Sequence, residues 1–278
     1  MNTTTVSRED FDFVRRLVKD RAAIVLESGK EYLLDARLGP VARHLGVGSV
    51  SVLLADLQRT RTPETLELVV EAMTTNETSF FRDIIPFQVM EKELLPGVLE
   101  ARSSQRKLRI WCGASSSGQE PVSIGIMLLE ARPELATWSV TIEATDINRR
   151  MVQRTNDGIY SQLEVNRGLR APLLLKYFER KGLEWTVKPA VREMIRAKTM
   201  NLVETWTVNG PYDFIFMRNV LIYFDADTKR KILDQLARVL AADGFLFLGG
   251  AETTVGVHEG FERMPHAKAS CYRLRGKQ

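Results

Sequence analysis

Cysteine and histidine are scarce in this 278-residue chain. It has two cysteines, Cys112 and Cys271, and three histidines, and none of them falls in a CxxC or Cys/His ligand spacing. We therefore predict neither a structural zinc site nor a disulfide, and no bound metal.

Long apolar runs are also missing. No stretch has the length that a bilayer crossing requires, and residues 1–16 lack the apolar region of a secretory signal, so we expect a cytoplasmic protein. Hydrophobic residues make up 44% and the net charge is only +4, which excludes a mainly disordered chain. The small positive excess is compatible with an acidic partner but does not identify one.

The first part of the chain has a helical pattern. Residues 7–10 (SRED) resemble a capping box, and Phe11, Val14 and Val18 follow at helical spacing. Arg37 and Arg43, with His44, are interleaved with apolar residues and predict a helix with one basic face. Such a face is either a site for an acidic substrate or an ordinary solvated surface.

From residue 108 onward, predicted strands alternate with predicted helices, which indicates an α/β fold with a mainly parallel sheet covered on both faces. We place a helical domain and linker at residues 1–88 and the α/β domain at 89–278. The predicted strands are 108–113, 138–145, 212–217 and 245–248, and the predicted helices are 121–129, 149–156 and 226–240.

The alternation lapses between about residues 159 and 200. Residues 160–179 have a mostly helical pattern, and residues 181–197 alternate in a way that predicts a small antiparallel excursion. We interpret this part as an insertion that serves recognition.

A glycine-containing loop follows the first predicted strand, at residues 111–120 (WCGASSSGQE). This is where an open α/β sheet binds its ligand, and Gly113 allows close approach of the backbone. Gly113 and Gly118 have the spacing of a phosphate-binding loop, but that motif continues with Lys and Ser/Thr, and Gln119 and Glu120 stand there instead. The dinucleotide fingerprint GxGxxG is absent too.

An acid in this loop favours a ligand with an ammonium group, a sulfonium or a ribose diol over a phosphate. Asp146, just after the next predicted strand, is placed to accept hydrogen bonds from a ribose diol. S-adenosylmethionine has all of these groups. The alternative is that Glu120 is a first-turn helix acid and Asp146 caps the helix that starts near Asn148.

Two further segments add candidate residues. Arg218 and Asn219 follow a predicted strand, with Tyr223 nearby, although a buried strand with a core tyrosine gives the same pattern. Asn76, Thr78 and Arg82 lie between the two predicted domains. A turn that caps a helix would explain Asn76 but not Arg82. An arginine can bind a carboxylate through two hydrogen bonds, which favours a functional role for Arg82.

Five segments in order, NETSFFRD, WCGASSSGQEPVSI, ATDIN, FIFMRNVLIYF and LAADGFLFLGGAE, resemble the CheR-type chemoreceptor glutamate methyltransferases over almost the whole chain. The resemblance implies an N-terminal helical domain joined to a class I S-adenosylmethionine-dependent methyltransferase domain, Rossmann-like, with an inserted small β-subdomain. It implies methylation of glutamate carboxylates on the cytoplasmic helical hairpins of chemoreceptors, giving methyl esters and S-adenosylhomocysteine.

The same resemblance assigns roles to individual residues. Tyr223 matches a tyrosine near the transferred methyl and is, with Arg82, a catalytic candidate. Because the substrate helices of receptors are rich in acids, Arg37 and Arg43 on the basic face are the candidates for substrate binding. The family's cofactor contacts match at Asn76, Thr78, Arg82, Glu120, Asp146, Asn201, Leu202, Arg218 and Asn219, with Gly113 in the glycine loop.

Family members that bind a tethering receptor pentapeptide tend to have a longer, glycine-containing loop than the one at residues 181–183. We therefore predict that no such tether is required. We also expect a monomer that binds no nucleic acid and does not insert into a membrane.

Two alternatives stay open. A nucleic-acid methyltransferase would share the cofactor domain, but it usually has an Asn/Asp-Pro-Pro-aromatic motif where Met217-Arg-Asn-Val stands. A non-catalytic sensor of S-adenosylmethionine would lack substrate-side groups, yet Arg82 and Tyr223 are present.

Overall fold

The computed structural model describes residues 6–265 and 268–276. The chain divides into two compact units. The smaller consists of the residues up to Thr75 together with Tyr223–Thr228, and the larger of Asn76–Ile222 and the residues from Lys229 onward.

Among the described residues up to Thr75, the smaller unit contains the helices α1 (Arg8–Ala22), α2 (Tyr32–His44), α3 (Val50–Thr60) and α4 (Pro63–Met73). The capping box at α1 is confirmed, because Ser7 accepts a hydrogen bond from the Asp10 backbone and the Asp10 carboxylate accepts one from the Ser7 backbone. Phe11, Val14 and Val18 are buried in one apolar core with residues of the other helices.

The larger unit alternates helices and strands. Its helices are α5 (Ile85–Val89), α6 (Leu95–Ala101), α7 (Gln119–Ala131), α8 (Arg149–Asp157), α9 (Gln162–Val165), α10 (Ala171–Tyr177), α11 (Pro189–Arg192) and α12 (Ala226–Val239), with a π-helical stretch at Met90–Leu94. Its strands are β1 (Lys107–Gly113), β2 (Ser139–Asp146), β3 (Ile159–Ser161), β4 (Phe178–Lys181), β5 (Glu184–Val187), β6 (Ile195–Thr199), β7 (Tyr212–Met217), β8 (Leu240–Leu248), β9 (Phe261–Arg263) and β10 (Cys271–Leu274).

Seven of these strands form one sheet in the order β6-β2-β1-β7-β8-β10-β9. The strands from β6 to β8 pair in parallel, and β10 and β9 are antiparallel. The α/β class predicted from the alternating pattern is confirmed. The strand β7 is buried along its whole length, as expected for a parallel sheet covered on both faces.

The insertion differs from its prediction. Only α9 and α10 are helical within residues 160–179, and β3, β5 and β4 form a separate three-stranded antiparallel sheet. Residues 195–197, predicted as part of the antiparallel excursion, instead belong to β6, which pairs in parallel with β2 at the edge of the main sheet. Alternating side chains suit an edge strand of either sheet, so the pattern did not identify the partner strand.

Hydrogen bonds join both ends of the insertion to the end of α8. The Val187 N–H donates to the Gly158 carbonyl, 2.9 Å away, where the chain leaves α8. The Asn156 side chain makes two hydrogen bonds of 3.1 Å to the backbone of Ala197, in the strand where the chain re-enters the main sheet.

Residues 76–88, which we placed with the helical domain and its linker, make their contacts within the larger unit. Phe80 and Phe87 are both buried in its core. The division at Thr75 therefore precedes the predicted boundary, because these aromatic residues need the core of the sheet unit. None of the helices within the described ranges has the length and apolar character needed to cross a membrane.

Candidate functional site

The glycine loop between β1 and α7 is built around two glycines. A β-carbon on Gly113 would meet the end of the flexible Met217 side chain on β7, which would have to move to make room. Gly118 precedes α7 with φ +91°, and a β-carbon there would lie 2.8 Å from Thr155. The left-handed backbone makes Gly118 the position that favours glycine more strongly.

Backbone hydrogen bonds fix the loop between these glycines. The Ser115 N–H donates to the Thr145 carbonyl at 2.9 Å, and the Ser116 N–H donates to Asp146 Oδ2 at 2.7 Å. The Tyr160 hydroxyl donates to the Ser117 carbonyl at 2.9 Å, and this tyrosine is buried. The loop is thus held by β2 on one side and by the insertion on the other.

Asp146 lies at the carboxyl end of β2. Its Oδ1 accepts from the Asn148 N–H at 2.9 Å, and its backbone carbonyl accepts from the Met200 N–H at 2.9 Å. The side chain that caps α8 is Asn148, whose Oδ1 accepts from the backbone N–H groups of Arg150 and Met151. The alternative that Asp146 caps α8 is therefore wrong.

The Met200 hydrogen bond brings Asn201 and Leu202 beside Asp146. Leu202 is buried, and the Asn201 side chain, half-buried, donates to Glu204 Oε1 and accepts from the Val203 N–H. These contacts shape a tight turn after β6.

Glu120 and Arg218 form a buried ion pair, with Nη1 and Oε2 2.5 Å apart. The Arg218 side chain is 2% exposed and that of Glu120 is 13% exposed. Burial raises the pKa of the Glu120 carboxyl, and the Arg218 guanidinium opposes this shift. The sequence did not predict this pairing, because the two residues lie on elements far apart in the chain.

Arg218 also reaches the segment 76–83. Its Nη2 donates to the Arg82 carbonyl at 2.9 Å and to Asp83 Oδ2 at 3.0 Å. Its Nε is buried and has no hydrogen-bond partner in the part of the chain that the structure describes. A carboxylate is the group that an unpartnered buried guanidinium N–H binds best.

Segment 76–83 has no regular secondary structure and is held by side chains from its surroundings. Ser116 Oγ donates to the Asn76 carbonyl at 2.7 Å, and the Phe81 N–H donates to Ser123 Oγ at 2.9 Å. Arg82 is half-buried, and its Nη1 donates to the Glu77 carbonyl at 3.1 Å. Thr78, also half-buried, lies within the same segment.

Asn219 follows β7 in a left-handed conformation, with φ +58°. Its N–H donates to Glu252 Oε2 at 2.7 Å. Glu252 was not among the predicted site residues. Its only sequence signal is its place in the segment LGGAE, directly after the last parallel strand, where sheet ligands bind.

Tyr223 is half-buried in a 3-10 turn at Leu221–Tyr223, and its carbonyl accepts a hydrogen bond from the Val25 N–H. It belongs to the smaller unit. Its predicted catalytic role therefore rests on the sequence.

The two arginines on the basic face of α2 differ in their contacts. The Arg37 guanidinium donates to the carbonyls of Met73 and Thr74 and to Thr75 Oγ1, at the end of α4. Arg43 is exposed. Arg37 thus has a structural contact that its sequence pattern did not indicate.

A glycine loop after the first strand and an acid at the end of the second place the candidate ligand site at the carboxyl edge of the parallel sheet, where an S-adenosylmethionine-dependent methyltransferase of class I binds its cofactor. Residues 76–270 match the model of the CheR methyltransferase SAM-binding domain, and residues 9–74 match the all-alpha domain of the same methyltransferase. The chain belongs to the CheR methyltransferase family.

Curated relatives align over nearly the full length. The chain is 38% identical to a chemotaxis protein methyltransferase 1 of Vibrio cholerae and 37% identical to a chemotaxis protein methyltransferase of Vibrio parahaemolyticus, with 99% of this chain and 100% of each relative covered. It is 37% identical to a chemotaxis protein methyltransferase 1 of Pseudomonas aeruginosa, with 98% and 100% covered.

Proposed function

We propose that this enzyme transfers the methyl group of S-adenosylmethionine to glutamate side-chain carboxylates of chemoreceptors, forming methyl esters. The observation that carries the proposal is the full-length similarity to chemotaxis protein methyltransferases, in both domains. The cytoplasmic helical hairpins of receptors are the proposed substrate surface, and we propose that the enzyme meets them as a cytoplasmic monomer.

The residues around the glycine loop fit this cofactor. S-adenosylmethionine supplies a methyl group on a positively charged sulfur. The buried Arg218 Nε, which lacks an acceptor among the described residues, suits the carboxylate of an amino acid moiety. Glu120 suits its ammonium group, and Asp146 a ribose diol.

Further cofactor contacts are proposed on both sides of this set. Asn201 and Leu202, beside Asp146, are assigned to the adenine side. Gly113 allows close approach of the backbone, and Asn76, Thr78 and Asn219 complete the proposed binding residues.

The nucleophile needs no general base. A glutamate carboxyl has a pKa of about 4.3 and is ionised at neutral pH. The protein's task is to orient a carboxylate oxygen toward the methyl group and to exclude water. Orientation alone contributes up to roughly 7 to 11 kcal/mol in well-arranged systems.

Bringing a carboxylate into a dry site costs free energy unless donors replace its water. We assign this role to Arg82 and the Tyr223 hydroxyl. The position of Arg82 supports this assignment, because its own backbone carbonyl accepts a hydrogen bond from Arg218. An arginine and a tyrosine hydroxyl offer donors without removing the charge of the nucleophile.

A tethering pentapeptide is not part of this proposal. The turn between β4 and β5 consists of Gly182 and Leu183 alone, so the hairpin is tight. Titration of the protein with a receptor pentapeptide by calorimetry tests this point. Clear micromolar affinity would overturn it.

Transfer of a radiolabelled methyl group to receptor-containing membranes is the decisive experiment. We expect label on the receptor and its release as methanol in alkali, which identifies an ester. Receptors with the accepting glutamates replaced by alanine serve as the control. Alkali-stable label, or label on nucleic acid instead, would contradict the proposal.

A further inference from the structure

Glu252 accepts hydrogen bonds from four backbone N–H groups. Its Oε2 accepts from Asn219 at 2.7 Å and from Gly249 at 2.6 Å. Its Oε1 accepts from Val220 at 2.9 Å and from Ile222 at 3.2 Å. The residue is 5% exposed, so the carboxylate exchanges its water for protein donors almost completely.

The backbone after β7 needs such an acceptor. Asn219 has φ +58°, and regular structure resumes only at Leu221–Tyr223. Between the two, the N–H groups of Asn219, Val220 and Ile222 all donate to the Glu252 carboxylate. A carboxylate offers two oxygens with about four lone pairs, and bonds between an ionised acceptor and N–H groups are strong. One side chain therefore fixes the whole turn.

Gly249 makes room for this arrangement. A β-carbon there would lie 2.7 Å from Glu252 Oε2 and 2.8 Å from Asn219 Nδ2. The Asn219 side chain is thus placed against the same backbone that the carboxylate holds. The geometry links the conformation of Asn219 to Glu252.

We propose that Glu252 is a positioning residue for cofactor binding. It holds the left-handed Asn219 backbone, and through it sets the direction of the Asn219 side chain toward S-adenosylmethionine. The inference rests on the proposed role of Asn219. It is independent of the methyl acceptor, because cofactor binding is measured without any receptor.

Calorimetric titration of S-adenosylmethionine into the full chain tests the proposal. The Glu252→Gln variant replaces one acceptor oxygen with an amide group whose hydrogens face backbone N–H groups. We expect the affinity to fall about tenfold or more. The Glu259→Gln variant makes the same chemical change at an exposed position and should bind as the wild type does.

A double-mutant cycle separates positioning from a general structural effect. In an Asn219→Ala background, Glu252→Gln should lower the affinity by less than about threefold, because the side chain that it directs is already gone. Equal losses in both backgrounds would overturn the proposal. Unchanged affinity in Glu252→Gln, or in Asn219→Ala alone, would overturn it as well.

Hydrogen exchange supplies the second measurement. The amides of Asn219, Val220 and Ile222 should be protected in the wild type and lose protection selectively in Glu252→Gln. If that variant does not fold, Glu252→Asp keeps the charge but shortens the reach, and the same cycle with Asn219→Ala is run on it. Rapid exchange of these amides in the wild type would overturn the inference.

Discussion

The backbone of Gly168 lies so close to Phe80 that a β-carbon on Gly168 would be 1.9 Å from the Phe80 carbonyl oxygen. Gly168 also has φ +92°. The neighbouring Arg167 carbonyl accepts from the Phe80 N–H at 3.2 Å. The insertion therefore sets the path of segment 76–83, which contains three proposed cofactor contacts.

Replacing Gly168 by alanine should displace that segment. We expect the free energy of unfolding to fall by about 2 kcal/mol or more, and S-adenosylmethionine to bind more weakly. Denaturant unfolding and calorimetry measure the two effects. Gly182→Ala is the control, because Gly182 has φ +64° but open space around it, so only the strain of about 1–2 kcal/mol remains. Equal effects of the two variants would contradict this interpretation.

Arg102 joins two acidic residues of the sheet unit. It donates to Asp213 Oδ1 at 2.8 Å and binds Asp243 with both Nη atoms, and the Asp213 side chain is only 7% exposed. Arg102→Ala would leave a buried carboxylate with one charged partner fewer, so we expect a loss of about 3 kcal/mol in denaturant unfolding.

Arg59→Ala is the matched control for that loss. Arg59 forms an exposed pair with Asp56, and such pairs contribute about 0–1 kcal/mol. If the free energy of unfolding falls equally in the two variants, the buried network contributes no more to stability than an exposed ion pair.

The pH dependence of stability should report the same network. The hydrogen bond from Arg102 lowers the pKa of Asp243. A lowered carboxyl pKa stabilises the folded state above the unfolded pKa of about 3.9, and this contribution is lost as the pH falls through the folded value. Urea midpoints between pH 6 and pH 3 should therefore fall less steeply for Asp243→Asn than for the wild type. Parallel curves would contradict the assignment.

Tyr223→Phe should lower turnover more than cofactor affinity. The hydroxyl is proposed to donate to the incoming carboxylate, whereas the ring stays in place in the variant. Methyl-transfer rates and calorimetry give the two quantities, and Tyr32→Phe, at an exposed position of α2, is the control. A loss of cofactor binding in a folded Tyr223→Phe protein would make Tyr223 a binding residue instead.

Charge reversal on α2 should distinguish the roles of the two arginines on its basic face. Arg43→Glu should slow receptor methylation at low ionic strength and have a smaller effect at high salt, because exposed charges are screened. Arg37→Glu should in addition lower stability, since Arg37 binds the end of α4. Arg263→Glu, an exposed change on β9, is the control. Unchanged methylation in Arg43→Glu at low salt would contradict a substrate-binding role for Arg43.

Local patterns predicted most of the sheet. Residues 212–217 (YDFIFM) are apolar except for Asp213 and form β7 with those bounds. The capping box at Ser7 is equally local. The edge position of β6, the Glu120–Arg218 pair and the Glu252 turn were not predicted, because each depends on a partner that only the folded chain brings near. Glu252 binds backbone N–H groups, and because almost every residue type has one, the sequence does not show which of them it binds.

The two ends of the insertion have a consequence for how the enzyme tolerates change. Gly158 and Val187 close the small sheet at its base, and Asn156 fastens the departing helix to the returning strand at Ala197. Lengthening or shortening the far hairpin at Gly182 thus leaves this base intact. The periphery of the insertion can therefore change in length and sequence while Asp146 and Met200 keep their hydrogen bond.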